Sequence, residues 1–182
     1  MKLMQKGLIV LFSLVLAACG GLPSYMDTTD EKLKGQGMTL SETIQTKDLY
    51  GAWAFATEDD DPNDVTILFA LYTDHTGLAY ALDVNRKTKV ETMQAEYFTW
   101  KFDESNKNLI SVTFKQIDRV GDKRTEKTLN KPDQHKVDIY RLDNEKFAIK
   151  LVNKEQRLIL FRMPNETYNN FIKLLPDLPK LK

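Results

Sequence analysis

Eight short runs of alternating apolar and polar residues constrain this chain more than any other feature of its sequence. They begin after Leu49 and are separated by segments rich in Asp, Asn, Gly and Lys. Alternation with a period of two gives each strand one dry face and one wet face, and such short connections leave no room for crossover helices. The pattern predicts strands near 50–57, 65–72, 77–84, 91–102, 108–117, 135–142, 146–152 and 157–163.

Two predicted connections are longer, at 58–64 and 118–133, and both are dominated by charged residues. The basic residues of the second connection alternate with Asp and Glu, which is typical of a solvated loop, although such a loop near a membrane could touch anionic headgroups. These basic residues are Lys123, Arg124, Lys127 and Lys131.

One helix is expected after the last strand. Asn165 suits an N-cap and Glu166 suits the positive end of the helix dipole. An apolar stripe with helical spacing follows before Pro176, and it consists of Tyr168, Phe171, Ile172 and Leu175. Such a stripe must be buried, and the outer face of the sheet is the available partner.

Eight sequentially paired strands predict an all-β fold, either a sandwich or a barrel. Closure removes the exposed edge strands that would otherwise promote aggregation, so we expect an eight-stranded antiparallel up-and-down barrel. The barrel should span residues 47–163, with the C-terminal helix and tail of residues 164–182 packed outside it.

The first and last predicted strands carry a family resemblance. Leu49-Tyr50-Gly51-Ala52-Trp53 contains a Gly-x-Trp motif, and Arg162 lies near the end of the last strand. The combination resembles the lipocalins, which are calycin-type barrels. The resemblance implies that Gly51, Trp53 and Arg162 close the barrel at one end, with about 0.5 to 2 kcal/mol of cation–π attraction. It also implies that the barrel binds a small hydrophobic ligand such as a lipid or a fatty acid.

The start of the chain indicates where the protein works. Lys2 and Lys6 precede an apolar run, 8–16, that is too short to span a bilayer. The following Leu16-Ala17-Ala18-Cys19 resembles the lipobox of bacterial lipoproteins. That resemblance implies that residues 1–18 are a signal peptide, that Cys19 carries the lipid anchor with palmitate-like acyl chains, and that residues 19–46 form a flexible tether. Gly20 in place of aspartate resembles lipoproteins of the outer membrane.

Composition fits a tethered globular domain. Without the signal peptide, 24 basic and 26 acidic residues remain, so no basic field favours nucleic acid. Cys19 is the only cysteine, and its lipidation would leave the fold without disulfides. We therefore expect three kinds of contact: the membrane through the lipid anchor, a small hydrophobic ligand, and an envelope protein partner.

Motifs of catalysis and metal binding are missing from the sequence. His75 and His135 have no ligand partners at metal-binding spacing, and the acidic run at 58–64 lacks the glycine and glutamate of a calcium loop. No nucleophile elbow or phosphate-binding glycine loop is present. We expect neither a metal nor another cofactor, and we expect that the protein is not an enzyme.

Strand aromatics are the remaining candidates for a ligand site. Gln94, Thr113 and Tyr140 could orient a headgroup if they point inward. In the predicted strand 91–102, the inward-facing residues are either those that alternate with Phe98 or those that alternate with Tyr97. The sequence leaves both possibilities open. The candidate lining residues are Phe69, Tyr80, Tyr97, Trp100, Phe114, Tyr140 and Phe147. The interior is either a ligand cavity or a filled core, and in the second case the protein would be a scaffold for partners.

Overall fold

Eight antiparallel strands and two helices form the described part of the computed structural model, which covers residues 43–56, 63–142, 145–151 and 157–173. The helices are α1 (Thr46–Leu49) and α2 (Asn165–Lys173). The strands are β1 (Gly51–Ala56), β2 (Asn63–Leu71), β3 (Thr76–Asn85), β4 (Glu91–Asp103), β5 (Asn108–Val120), β6 (Lys123–Arg141), β7 (Lys146–Leu151) and β8 (Arg157–Met163).

The strands close into a barrel in which each one pairs with its neighbour in the sequence. The ring is completed by β1 and β8, whose central pair is Trp53 with Arg162. This confirms the predicted all-β, eight-stranded antiparallel up-and-down barrel. Among the described helices, none is long and apolar enough to cross a membrane.

Strand alternation divides the buried residues into an inner and an outer cluster. The inner cluster fills the barrel and includes Trp53, Phe69, Phe98 and Leu160. The outer cluster lies on the opposite face of β1 to β5, where Tyr168 and Ile172 of α2 pack against it. The helix therefore covers the outside of the sheet, as its apolar stripe predicts; Leu175 lies outside the described residues.

A buried pair of tyrosines fixes α2 to the barrel. The hydroxyl oxygens of Tyr72 and Tyr168 are 2.5 Å apart, and both side chains are buried. Burial raises the pKa of both phenols, so the pair remains uncharged at neutral pH. The hydrogen bond thus satisfies two hydroxyl groups that the helix would otherwise bury without a partner.

The prediction of a loop at 118–133 is wrong. β5 continues to Val120, β6 begins at Lys123, and Gly121 with a φ of 55° forms the turn between them. Both faces of this hairpin carry charged residues, and a 2.7 Å ion pair joins Lys115 to Glu126 across it. Since neither face is apolar, the hairpin has no hydrophobic alternation by which the sequence could have shown it.

A β-bulge at Phe114 changes the parity of β5. Phe98 of β4 pairs with Thr113, whereas Tyr97 pairs with Lys115, so Phe114 has no partner on β4. Residues before the bulge face inward at odd numbers, and residues after it face inward at even numbers. The bulge consequently turns Ile117 outward into the outer cluster and Gln116 inward.

The folded domain begins before the predicted end of the tether. Ile44 is buried in the inner cluster, and its carbonyl accepts a 3.4 Å hydrogen bond from Lys107. In α1, the backbone N–H of Gln45 donates to the Asp48 carboxylate. The predicted signal peptide, Cys19 and most of the tether lie outside the described residues.

Candidate functional site

The sealed end of the barrel is built around Trp53 and Arg162. The structure brings these two side chains together, with the guanidinium carbon 4.1 Å from the centre of the indole ring. Arg162 also donates to the backbone oxygens of Asp48 at 2.8 Å and Tyr50 at 3.0 Å. The indole N–H of Trp53 donates to Leu49 at 3.0 Å. These bonds hold α1 across the barrel opening.

Gly51 makes the close approach of Arg162 possible. Its φ is +123°, which side-chain-bearing residues rarely adopt, and a Cβ there would lie 3.0 Å from an Arg162 nitrogen. Glycine is therefore required at the first position of the Gly-x-Trp motif for both conformational and steric reasons.

An ion pair completes the sealed end, and it was not anticipated from the sequence. Arg141 at the end of β6 lies 3.1 Å from the carboxylate of Asp48. The surrounding cavity of about 30 Å³ holds about two waters at most. Its lining residues are Ile44, Asp48, Leu49, Trp53, Arg141, Phe147 and Arg162. This end is a plug and not a ligand pocket.

Aromatic packing fills the barrel next to the plug. Phe69 stacks on Phe98 at 5.6 Å, and Trp53 contacts Phe147 edge-on at 4.1 Å. Phe98 also occupies the space beside Gly77, where a Cβ would lie 2.2 Å from the ring. The absence of a side chain at Gly77 is thus what admits Phe98 to the interior.

Only three of the seven predicted lining residues face the interior. Phe69, Trp100 and Phe147 belong to the inner cluster. The interior set of β4 contains Phe98 and Trp100, which settles the parity that the sequence left open.

The other four candidate aromatics lie outside the inner cluster. Tyr80 and Tyr97 are part of the surface under α2, where Tyr80 contacts Phe171 at 5.7 Å. Tyr140 packs beside Leu142 outside the inner cluster, and Phe114 at the bulge is 38% exposed. The aromatic residues of a strand do not show which of its faces lies inside the barrel. The outer face of the sheet is also apolar, because α2 packs against it.

One wall of the interior is polar, beginning at the level of the aromatic layer. Ser111 pairs with Trp100, and Thr113 pairs with Phe98, so both hydroxyls share the inner face. Ser111 is 1% exposed and Thr113 is 0% exposed, and neither hydroxyl has a hydrogen-bond partner within the described structure. Thr113 was one of the predicted headgroup residues, whereas Ser111 was missed.

Glu96 and Gln116 extend this polar wall away from the plug. They are paired in register on the inner face, and the Gln116 amide donates to the Glu96 carboxylate at 3.0 Å. Glu96 is 4% exposed. We call Glu96, Ser111, Thr113 and Gln116 the polar wall. Its sequence signal is partly hidden, because the bulge at Phe114 puts Gln116 out of step with the alternation of Ser111 and Thr113.

The part of the interior next to the polar wall, on β2 and β3, is lined by apolar and mostly small side chains. The inward residues of β3 that follow Gly77 are Ala79 and Ala81, which pair in register with Glu96 and Gln94 of β4. The apolar side chains of Val65 and Ile67 lie next to them on β2. The interior is thus polar along β4 and β5 and apolar along the neighbouring β2 and β3.

No metal site is found among the described residues, which contain no group of three potential ligands. The ring of His75 contacts Trp100 at 5.1 Å and Tyr50 at 6.3 Å beside the plug. His135 of β6 pairs in register with Ser111 and lies beside the polar wall.

The chain matches no protein-family model, and it has no significant match among curated proteins or solved structures.

Proposed function

We propose that this protein is a lipid-anchored protein of the bacterial envelope whose lipocalin-like barrel binds a small hydrophobic ligand. The anchor at Cys19 and an outer-membrane location are supported by the lipobox-like start of the sequence. The ligand site is the part of the barrel interior that is lined by the polar wall and by the small apolar residues of β3.

The observation that carries this proposal is a barrel plugged at one end and lined with small side chains further along. An eight-stranded barrel is just wide enough to be filled by its own side chains or to hold one small ligand. Ala79 and Ala81 contribute almost no volume to the interior at the level of the polar wall. The plug limits access to the far end, where β1 joins β2 and β3 joins β4.

A second candidate function is a filled scaffold for an envelope protein partner. The stacked Phe69 and Phe98 and the small cavity beside Trp53 favour it, since they show a packed interior at the plugged end. In that case the charged β5–β6 hairpin is the surface that would meet the partner.

Native mass spectrometry of the full-length protein, released gently from membranes, separates these functions. We expect the wild type to retain a small molecule and to take up the uncharged fluorophore N-phenyl-1-naphthylamine. Ala81→Leu should fill the interior and abolish both signals. Ala54→Leu adds the same volume on the outer face and should preserve both. Repeated recovery of empty wild-type protein that takes up no fluorophore would favour the scaffold.

The anchor is tested separately by metabolic labelling with palmitate. We expect labelled lipid on the wild type and none on Cys19→Ser, because the thiol is the attachment point that the lipobox resemblance implies. Equal labelling of both proteins would contradict the anchor without bearing on the barrel.

A further inference from the structure

Ser111 and Thr113 place two hydroxyls in the dry interior without a hydrogen-bond partner in the described structure. A buried hydroxyl that lacks a partner loses its hydration and gains nothing in return, so such groups are rare in native interiors. Alternate residues of a strand are roughly 7 Å apart, which lets one polar headgroup reach both hydroxyls.

The bulge at Phe114 is an independent observation that points to the same surface. With a regular β5, Ile117 would face inward and Gln116 outward. The extra residue reverses this arrangement and places the amide of Gln116 against Glu96 inside the barrel. Bulges often redirect side chains at functional sites, and here the bulge makes the interior more polar than regular alternation would.

The acidic side chain of the polar wall restricts the headgroup. Glu96 places a carboxyl group on the inner face, and two carboxylates side by side are disfavoured in a medium of low dielectric. The nearest basic residues in register are His135, opposite Ser111, and Lys127, opposite Gln116 on the exposed part of the hairpin. A hydroxyl group on the ligand is both a donor and an acceptor. It can therefore form hydrogen bonds with the hydroxyls, the amide and the carboxyl group of the polar wall.

We infer that the polar wall binds the uncharged, hydroxyl-bearing headgroup of an amphipathic lipid whose hydrocarbon chain lies along Val65, Ile67, Ala79 and Ala81. This inference rests on the proposed binding function and narrows it to a class of ligand. Fatty acids, whose headgroup is a carboxylate, bind more weakly than uncharged lipids of the same chain length.

Three probes with the same hydrocarbon chain test this preference: monolauroylglycerol, lauric acid and dodecyltrimethylammonium. Each competes with N-phenyl-1-naphthylamine for the full-length protein. We expect monolauroylglycerol to compete best. The double variant Ser111→Ala/Thr113→Val should weaken its binding about tenfold, as expected for losing one or two hydrogen bonds. Direct titration of each protein with the fluorophore supplies the reference affinity for its competition.

Two further variants give the test its controls. Thr99→Val changes an exposed threonine on the outer face of β4 and should alter no affinity. Glu96→Gln removes the acidic side chain from the wall and should raise the affinity for lauric acid severalfold. Thermal melting of the ligand-free double variant shows whether the hydroxyls have a purely structural role. Its Tm should equal or exceed that of the wild type, because both hydroxyls are unsatisfied there.

The outcomes separate this inference from the proposal on which it rests. A wild type that binds neither the fluorophore nor any probe contradicts the binding function itself. A wild type that binds the fluorophore but does not prefer monolauroylglycerol overturns the headgroup assignment alone. The same holds if the double variant weakens all three probes equally, or if its Tm falls.

Discussion

The plug and the polar wall lie in the same barrel interior, but they differ in whether their buried polar groups have partners. At the plug, Arg162 has two backbone acceptors and an aromatic face, and Arg141 has the Asp48 carboxylate. At the wall, two buried hydroxyls have no partner within the described structure. Polar groups that complete their own bonds stabilise a fold, whereas groups left incomplete are available to a ligand.

The largest expected effect separates the two regions directly. Arg162→Ala removes two charge-assisted hydrogen bonds and the stacking on Trp53, and we expect it to lower the free energy of unfolding by about 3 to 5 kcal/mol. Urea denaturation measures this loss. Arg124→Ala, on the exposed hairpin, is the matched control and should cost less than about 1 kcal/mol. Similar losses for the two variants would contradict the stabilising role assigned to the plug.

A smaller effect is expected where the aromatic layer meets the wall. Gly77→Ala would place a methyl group 2.2 Å from the ring of Phe98, which is fully buried. Phe98 must then leave its position, at a cost of about 1 to 3 kcal/mol. The combined change Gly77→Ala/Phe98→Leu should recover part of the loss in urea denaturation. Failure to recover any would mean that Gly77 is needed for another reason.

The Glu96–Gln116 pair tests whether water reaches the polar wall in the empty protein. Gln116→Leu keeps the volume but removes the donor to a buried carboxylate, so we expect a loss of about 1 to 3 kcal/mol in the empty protein. A loss below a few tenths of a kcal/mol would show that water already solvates Glu96. Gln134→Leu, an exposed glutamine on β6, is the reference.

The tyrosine pair under α2 gives the smallest effect and is independent of the interior. Burial raises the pKa of Tyr72 and Tyr168, so their contribution to stability is complete below pH 10 and is lost as the pH rises further. Tyr72→Phe/Tyr168→Phe should weaken this alkaline loss and cost about 1 kcal/mol at pH 7. Thermal melts at increasing pH measure both quantities, and an unchanged alkaline profile would contradict the assignment.

Much of the fold was predictable because its signals are local. Alternation in β2 and β3 gave strand positions close to those observed, and the stripe on α2 predicted which face of the helix is buried. The Gly-x-Trp motif and Arg162 identified residues that do meet at the plug. Asp48 and Arg141 were not anticipated, since a charged pair 93 positions apart leaves no local pattern.

By itself, the sequence determined the number of strands, their order and the helix outside them, because alternation and turn residues act over a few neighbouring positions. The tertiary structure alone decided which face of β4 and β5 lies inside. One extra residue at Phe114 reverses every side chain that follows it, and only pairing with β4 shows where that residue is. Gln116 belongs to the polar wall because of that shift in register.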